Sequence, residues 1–401
     1  MLMFLPDDTT TPAMAAITAG LRASVIAGWD GPVTFGVEHL DLSWFTSPEY
    51  EAQMHDFYRV KYRGYRPSVI VALGVDAIPI LLEMRRRLWP GVPVVFLSED
   101  ERAASKLAGE PDLTGMWIHF EVRRTVESAL QLFPGTRRVT VVLGSGPWEQ
   151  AQRARLAEEL APLGSRVEIT CTYGLSYAEL ERRLHELPDD AVVVFHTFFL
   201  DGAGQRFVGM RLLDRLRPVL RRPMFTVHAV GLDHGVVGGA MIDYERLGHE
   251  GGAVLLRVLH GEAAASIPIH AADASVLAFD ARELDRFGVP ERLVPAGAEV
   301  RFREPSLWSR YRWQATAVAA AVALQAALIV VLLVERRRRV RAQASAGRAE
   351  RETQGAREQL AHLNRVAAIG ELAAALAHEL NQPLTAILST AQAAQRMLGA
   401  E

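Results

Sequence analysis

Ser68-Val69-Ile70-Val71-Ala72-Leu73-Gly74-Val75-Asp76-Ala77-Ile78-Pro79-Ile80-Leu81-Leu82-Glu83-Met84-Arg85-Arg86-Arg87-Leu88-Trp89-Pro90-Gly91-Val92-Pro93-Val94-Val95-Phe96-Leu97 decides the fold of this chain. It contains an apolar run Ser68–Leu73, an amphipathic stretch Ile78–Leu88, and a second apolar run Pro93–Leu97. A continuous apolar run, without polar alternation, is what a strand covered on both faces requires, and a helix between two such runs makes their pairing parallel.

The same unit repeats on either side. Further apolar runs lie at Leu2–Leu5, Val33–Val37, Arg138–Leu143, Val167–Cys171, Ala191–Phe195 and Met224–Val227, with helical patterns at Thr11–Ala27, Pro48–Tyr62, Glu121–Leu132, Trp148–Leu160 and Tyr177–Leu187. Eight strands fit one sheet. The extended segment Asp112–Met116, followed by a new βα series, points instead to two lobes divided there. After Gly235–Ala240 a helix from Tyr244 to Leu259 reads as a crossing back to the first lobe.

Composition bounds the rest. The 401 residues carry 44 Lys and Arg against 47 Asp and Glu, a net charge of −3, with 23% charged and 49% hydrophobic residues. That balance excludes a strongly basic nucleic-acid binder, a disordered acidic tail and a polytopic transporter, and the length allows two to three domains. The single cysteine, Cys171, excludes an internal disulfide framework and a multi-cysteine zinc site, and reads as a small core hydrophobe.

The 22 residues Trp313–Val334 hold only Gln314 and Gln325 as clearly polar side chains. A helix of that length spans roughly 33 Å, close to the hydrocarbon thickness of a bilayer. Tyr311 and Trp313 would anchor one interface, and Arg336, Arg337, Arg338, Arg339 and Arg341 mark the other as cytoplasmic. The expected plan is an extracytoplasmic domain over 1–305, a transmembrane helix over 313–334, a cytoplasmic helical linker over 335–360, and a further helix over 361–401, in a bacterial inner membrane. Export of the first domain needs a signal, and the opening Met1–Pro6 reads as a strand, so the start is expected to lie upstream.

Several stretches resemble the type I periplasmic-binding-protein fold in the variant found as the sensor domain of bacterial membrane kinases. They include Pro48-Glu49-Tyr50, Pro90–Phe96, Phe133–Val139, Val237-Gly238-Gly239, Val258–Glu262, Phe279–Leu284 and Arg303-Glu304-Pro305. The resemblance implies an α/β two-lobed clamshell that closes on a small extracytoplasmic ligand. In such sheets ligands sit beyond the carboxyl ends of the strands. That rule nominates Asp7 and Asp8, Asp76, Glu99, Trp148, His196, Thr197 and His228, with Asp76 doubling as a helix N-cap and Trp148 supplying stacking area. Gly144-Ser145-Gly146 follows a strand but lacks the rest of a phosphate-loop fingerprint and reads as a tight turn. No catalytic constellation or metal site emerges in this region.

Beyond the arginines, Ala342–Gln359 has no proline and favours a continuing helix. Leu363, Val366, Gly370, Ala373, Ala377, Leu380, Leu384, Ile387, Ala391, Ala394 and Leu398 then recur at steps of three and four, a seam for partner helices. Ala373, Leu376, Leu380, Leu384 and Ile387 lie roughly 120° to 180° around the axis from His378, which therefore points away from the apolar face.

Ala368–Ile387, with its core His378-Glu379-Leu380-Asn381-Gln382-Pro383-Leu384, closely resembles the phosphoacceptor helix of bacterial sensor histidine kinases. The resemblance implies a homodimer in which His378 takes the γ-phosphoryl group of ATP and passes it to an aspartate of a response regulator. An exposed, unprotonated imidazole is the nucleophile that step needs, and Glu379 is the implied acid–base partner. Pro383 removes one helical hydrogen bond and is expected to bend the helix. Gln382 stands where kinases with strong phosphatase activity carry Asn or Thr, which puts that activity in doubt. The ATP- and Mg²⁺-binding domain is expected beyond residue 401, so this chain alone should be inactive. The rival readings are a membrane-tethered receptor without kinase activity, a degenerate kinase subunit, and a soluble α/β enzyme, the last disfavoured by the missing catalytic set.

Overall fold

In a computed structural model, which describes all residues except 8–10, 43–44, 46, 304–306 and 399–401, the apolar runs become two sheets. The first contains β1 (Leu2–Leu5), β2 (Gly36–His39), β3 (Ile70–Leu73), β4 (Val94–Ser98), β5 (Leu113–Trp117) and β11 (His270–Ala271). Their order is β11-β5-β4-β3-β1-β2, parallel throughout. The second contains β6 (Arg138–Leu143), β7 (Glu168–Cys171), β8 (Ala191–Thr197), β9 (Met224–Thr226), β10 (Gly238–Ile242), β12 (Ser275–Asp280) and β13 (Glu299–Arg301). Their order is β13-β12-β10-β9-β8-β6-β7, with β10 and β12 antiparallel.

Burial on both faces explains the unbroken apolar runs. In β3 and β4, Val71, Leu73, Val95 and Leu97 join one core with residues of α1 (Pro12–Gly28) and α9 (Tyr244–Leu259). Ile70, Ala72, Val94 and Phe96 face the other way, toward α2 (Pro48–Lys61) and α3 (Ala77–Leu88). The second lobe repeats the plan with α5 (Val122–Leu132) and α6 (Pro147–Leu160) on one face and α7 (Tyr177–His185) and α8 (Gly209–Leu216) on the other. The short helices α4 (Glu101–Lys106) and α10 (Ala281–Arg286) follow β4 and β12. The chain changes lobes at 118–121, at Asp243 and at 272–274, so α9 and β11 return to the first lobe and β12 and β13 to the second.

Glycines let α9 reach α1. A Cβ on Gly248 would stand 2.2 Å from the carbonyl oxygen of Ile17, and one on Gly20 would stand 2.3 Å from that of Glu245. The two helices meet backbone to backbone.

Three expectations need correction. Asp112–Met116 is no boundary between lobes: Leu113–Trp117 is a strand paired with Val94–Ser98, and the crossing comes after it. Cys171 is exposed, because β7 is an edge strand. Val33–Val37 gives way to Gly36–His39, whose register is set by pairing with Leu2–Leu5. β10 went unread as a strand because Gly238 and Gly239 lack the side chains of one. They are required there, since Cβ atoms would lie 2.2 Å from the Ala278 and Thr226 carbonyl oxygens.

The chain divides into a unit of Met1–Glu304 and a unit of Pro305–Glu401. The second is a single helix, α11 (Leu307–Leu398), 92 residues long. It contains an 18-residue window of mean hydropathy 2.8, none of it buried, and is long and apolar enough to cross a membrane.

Candidate functional site

The carboxyl ends of β1, β3 and β4 form one wall of the space between the lobes. Gly74 takes a positive φ of 83° after β3 and turns the chain into Val75 and Asp76. Asp76 stands at the N-cap position of α3 yet makes no capping hydrogen bond. Desolvation, and then the charge of Asp7, push its carboxyl above the usual range. Glu99, half-buried after β4, accepts a hydrogen bond from the Val75 amide at 3.1 Å. Burial raises its carboxyl to about 7, with the charges of Asp76 and Asp100 adding to the effect. Glu99, Ser98, Met116, Ile118 and Tyr244 help to line a cavity of about 10 Å³, room for one water. Asp8 lies outside the described residues.

The second lobe contributes aromatic side chains. The pairing of β6 with β8 slips between Val142 and Leu143, leaving His196 without a partner on β6, a bulge of the kind that re-aims a side chain. His196 is 1% exposed and lies 5.6 Å, ring to ring, from Trp148 on the first turn of α6. Phe120, in the first crossing segment, touches Trp148, His196 and His228 edge-on at 5.1 to 6.1 Å. Three elements of the second lobe and one crossing segment thus meet in a single aromatic joint.

The hydrogen bonds of His228 fix its tautomer. Its Nε2 lies 2.6 Å from the His196 carbonyl oxygen, which can only accept, so Nε2 carries the proton. Its Nδ1 then accepts from the Tyr244 hydroxyl at 2.5 Å. Both ring nitrogens are satisfied in the neutral form, and burial holds the imidazole down at about 4. Burial, and then His228 beside it, hold His196 at about 3. These histidines are neutral packing and hydrogen-bonding groups at neutral pH. Tyr244, the first residue of α9, links them to the Glu99 side of the first lobe.

Gly144-Ser145-Gly146 is filled from within. Glu149 is 1% exposed and accepts from the Phe199 amide at 2.6 Å, and Cβ atoms on Gly144 and Gly146 would stand 2.7 and 2.5 Å from its carboxylate. The chain's own carboxylate occupies the place that a phosphate would take at a helix N-terminus.

The lobes also touch through charge. Asp100 caps α4 with one oxygen, accepting from the Arg102 and Ala103 amides, while its other oxygen is bonded by Arg155 of α6. Arg102 and Glu158 pair 3.8 Å apart across the same gap. Phe120, Tyr244, Glu149 and Arg155 were not singled out from the sequence. Only the position of Phe120 and Tyr244 at two of the three lobe crossings could have marked them. Among the described residues no group of three or more His, Cys, Asp or Glu side chains is arranged to hold a metal.

On α11 His378 is exposed, and its Nε2 lies 3.4 Å from the Gln382 amide nitrogen one turn on. With Asn381, Thr385, Ala386 and Ser389 the two line a shallow surface groove. Glu379 is exposed beside it, and the helix continues through Pro383. Leu363, Val366, Leu376, Leu380, Leu384 and Ile387 are each more than half exposed and form an apolar stripe.

No protein-family model matches the chain. Solved structures do match it. A conserved domain protein from Vibrio cholerae aligns at 17% identity and a TM-score of 0.56, over 75% of this chain and 98% of that one. An ABC domain in complex with L-Trp from Streptococcus pneumonia gives 14% and 0.54, over 75% and 99%. A substrate-binding protein with adhesive properties from Clostridium difficile, in its ligand-free, open form, gives 14% and 0.53, over 76% and 98%. At these identities the likeness is one of fold. About three quarters of the chain has the two-lobed type I periplasmic-binding-protein fold.

Proposed function

We propose that this chain is the sensing, membrane-crossing and phosphoacceptor part of a bacterial sensor histidine kinase. The observation that carries the proposal is the sequence His378-Glu379-Leu380-Asn381-Gln382-Pro383-Leu384 on an exposed helical face, in one continuous helix with the apolar span. The fold of the first unit supports the sensing role. A small solute between the lobes would stack on Trp148 and face the carboxylates of Asp76 and Glu99. The L-Trp held by the Streptococcus structure is in keeping with a small solute of this size. Closure on that solute has to favour one arrangement of the lobes over another, because a ligand shifts an equilibrium only by its differential affinity for the two states.

In the inner half a ring nitrogen of His378 attacks the γ-phosphorus of ATP. A P–N bond forms, the P–O bond to ADP breaks, and the single proton on the other ring nitrogen is drawn toward Glu379. ATP and Mg²⁺ would be held by an ATP-binding domain outside these 401 residues. The homodimer would cover the Leu363–Ile387 stripe, and a response-regulator aspartate would receive the phosphoryl group. The five arginines packed after Val334 support the extracytoplasmic placement of the first unit over the arginines at 301, 303, 310 and 312 on the other side of the span.

The test is phosphoryl transfer in a chain extended through the ATP-binding domain. Label from γ-labelled ATP should be acid-labile and reside on His378. Glu379→Ala should slow transfer on the order of 100-fold without loosening the dimer. Labelling that survives His378→Gln would remove the histidine from the mechanism. Sustained labelling of the 401-residue chain alone would overturn the division of labour between acceptor and ATP-binding domain.

A further inference from the structure

We propose that the turn of α11 directly after the apolar span is a collar that binds the phosphate groups of anionic phospholipids. Arg336, Arg337, Arg338, Arg339 and Arg341 are all exposed. With Arg336 at zero, the others stand at about 100°, 200°, 300° and 140° around the axis, so no arc wider than about 100° lacks a guanidinium. A protein docking on one face would need charge on that face only. Charge on every side fits a partner that surrounds the helix.

Depth points the same way. The five residues lie about 3 to 10 Å along the axis past Val334. A bilayer with a hydrocarbon core of about 30 Å and a total thickness of about 40 to 45 Å places its headgroups in that interval. Arg339 pairs with Glu335 at 2.7 Å. Among the described residues Arg336, Arg337, Arg338 and Arg341 form no ion pair with a carboxylate of their own chain. Four guanidiniums therefore remain to take phosphate oxygens, which their planar forks match two at a time.

The collar rests on the membrane-spanning reading but goes beyond it. Orientation of a span requires only positive charge, whereas a collar requires preference for one lipid. The 401-residue chain, reconstituted in phosphatidylcholine vesicles with a minority of phosphatidylglycerol, would be probed with spin-labelled forms of both lipids. Phosphatidylglycerol should associate about five-fold more strongly, and the preference should shrink with added salt. Replacing all five arginines by Gln should bring the ratio near unity, and replacing them by Lys should leave a reduced preference. Equal association of both lipids with the unmodified chain, or a preference unchanged by the Gln replacements, overturns the collar. So does its abolition by inorganic phosphate at matched ionic strength, which would assign the turn to free phosphate. Resistance of the chain to alkaline extraction reports insertion separately. A chain that inserts without preference fails the collar alone, and one that does not insert fails both readings.

Discussion

Helices α9 and α11 reverse the usual relation between sequence and stability. α9 contains Gly248, Gly251 and Gly252, a poor composition for an isolated helix, yet it is packed against α1, with Gly248 against the Ile17 backbone and Gly252 against Ser24 and Leu21. α11 is rich in Ala, Leu, Glu, Gln and Arg and runs for 92 residues, yet its described side chains from Tyr311 to Ala393 are almost all exposed. One helix is fixed by its neighbours despite its propensity. The other has propensity, and the large apolar side chains described on it are exposed. A two-lobed unit with its own core is thus followed by a helix whose apolar residues are exposed.

The largest expected effect lies on the helix that waits for partners. His378→Gln in the extended chain should abolish phosphoryl labelling while leaving the urea unfolding of the first unit unchanged. If that unfolding shifts, the exposed histidine is coupled to the core and the contrast between the two regions fails.

Next comes the packed helix. Gly248→Ala drives a methyl group into the Ile17 carbonyl and should destabilise the first unit by about 2 to 4 kcal/mol. Gly370→Ala on α11 meets nothing within 4 Å and should instead stabilise the helix, by up to about 1 kcal/mol. Denaturant midpoints for both variants measure the contrast directly, and equal effects would erase it.

A smaller effect of comparable kind comes from the buried joint. His228 is held at about 4 in the fold, against about 6.5 in an unfolded chain, so the unfolded chain takes up a proton that the fold refuses. The contribution of His228 to stability should therefore fall as pH drops from about 6.5 toward 4, by on the order of 3 kcal/mol. Glu99, raised to about 7, works in the opposite sense: its contribution is present at low pH and lost as pH climbs through 7. His228→Gln should flatten the acid limb of the stability curve and Glu99→Gln the neutral one. Because the Glu99 term opposes it over the same window, the check is made in Glu99→Gln: that variant as stable at pH 4.5 as at pH 6.5 would contradict the buried neutral imidazole.

The smallest effect concerns the contact between lobes. Asp100→Asn keeps a capping side chain on α4 but removes the charge that Arg155 holds, so any change reports the ion pair and not the helix. A partly exposed pair of this kind contributes about 1 kcal/mol or less. Spin labels on the two lobes should show a modestly broader distance distribution in the variant, narrowing in neither variant nor wild type when salt is raised. A distribution identical to wild type at low salt would show that Arg155 and Asp100 do not restrain the lobes.

The residues of the chain determined the alternation of strands and helices, the crossing back at Tyr244, the apolar span and the phase of His378. Each rests on a local period or an uninterrupted run, which neighbouring residues carry by themselves. The tertiary structure decided where the first lobe ends, because Leu113–Trp117 becomes a strand only through pairing with Val94–Ser98. It also decided which nominated residues meet. Trp148 and His196 come together through a bulge in β8, and His228 reaches Tyr244 across a lobe crossing. Glu149 fills the glycine turn that a sequence leaves open, and Cys171 is exposed only because its strand falls at a sheet edge. Such contacts join residues 16 to 50 positions apart, and no periodicity within a run of sequence encodes which distant backbone will lie beside it.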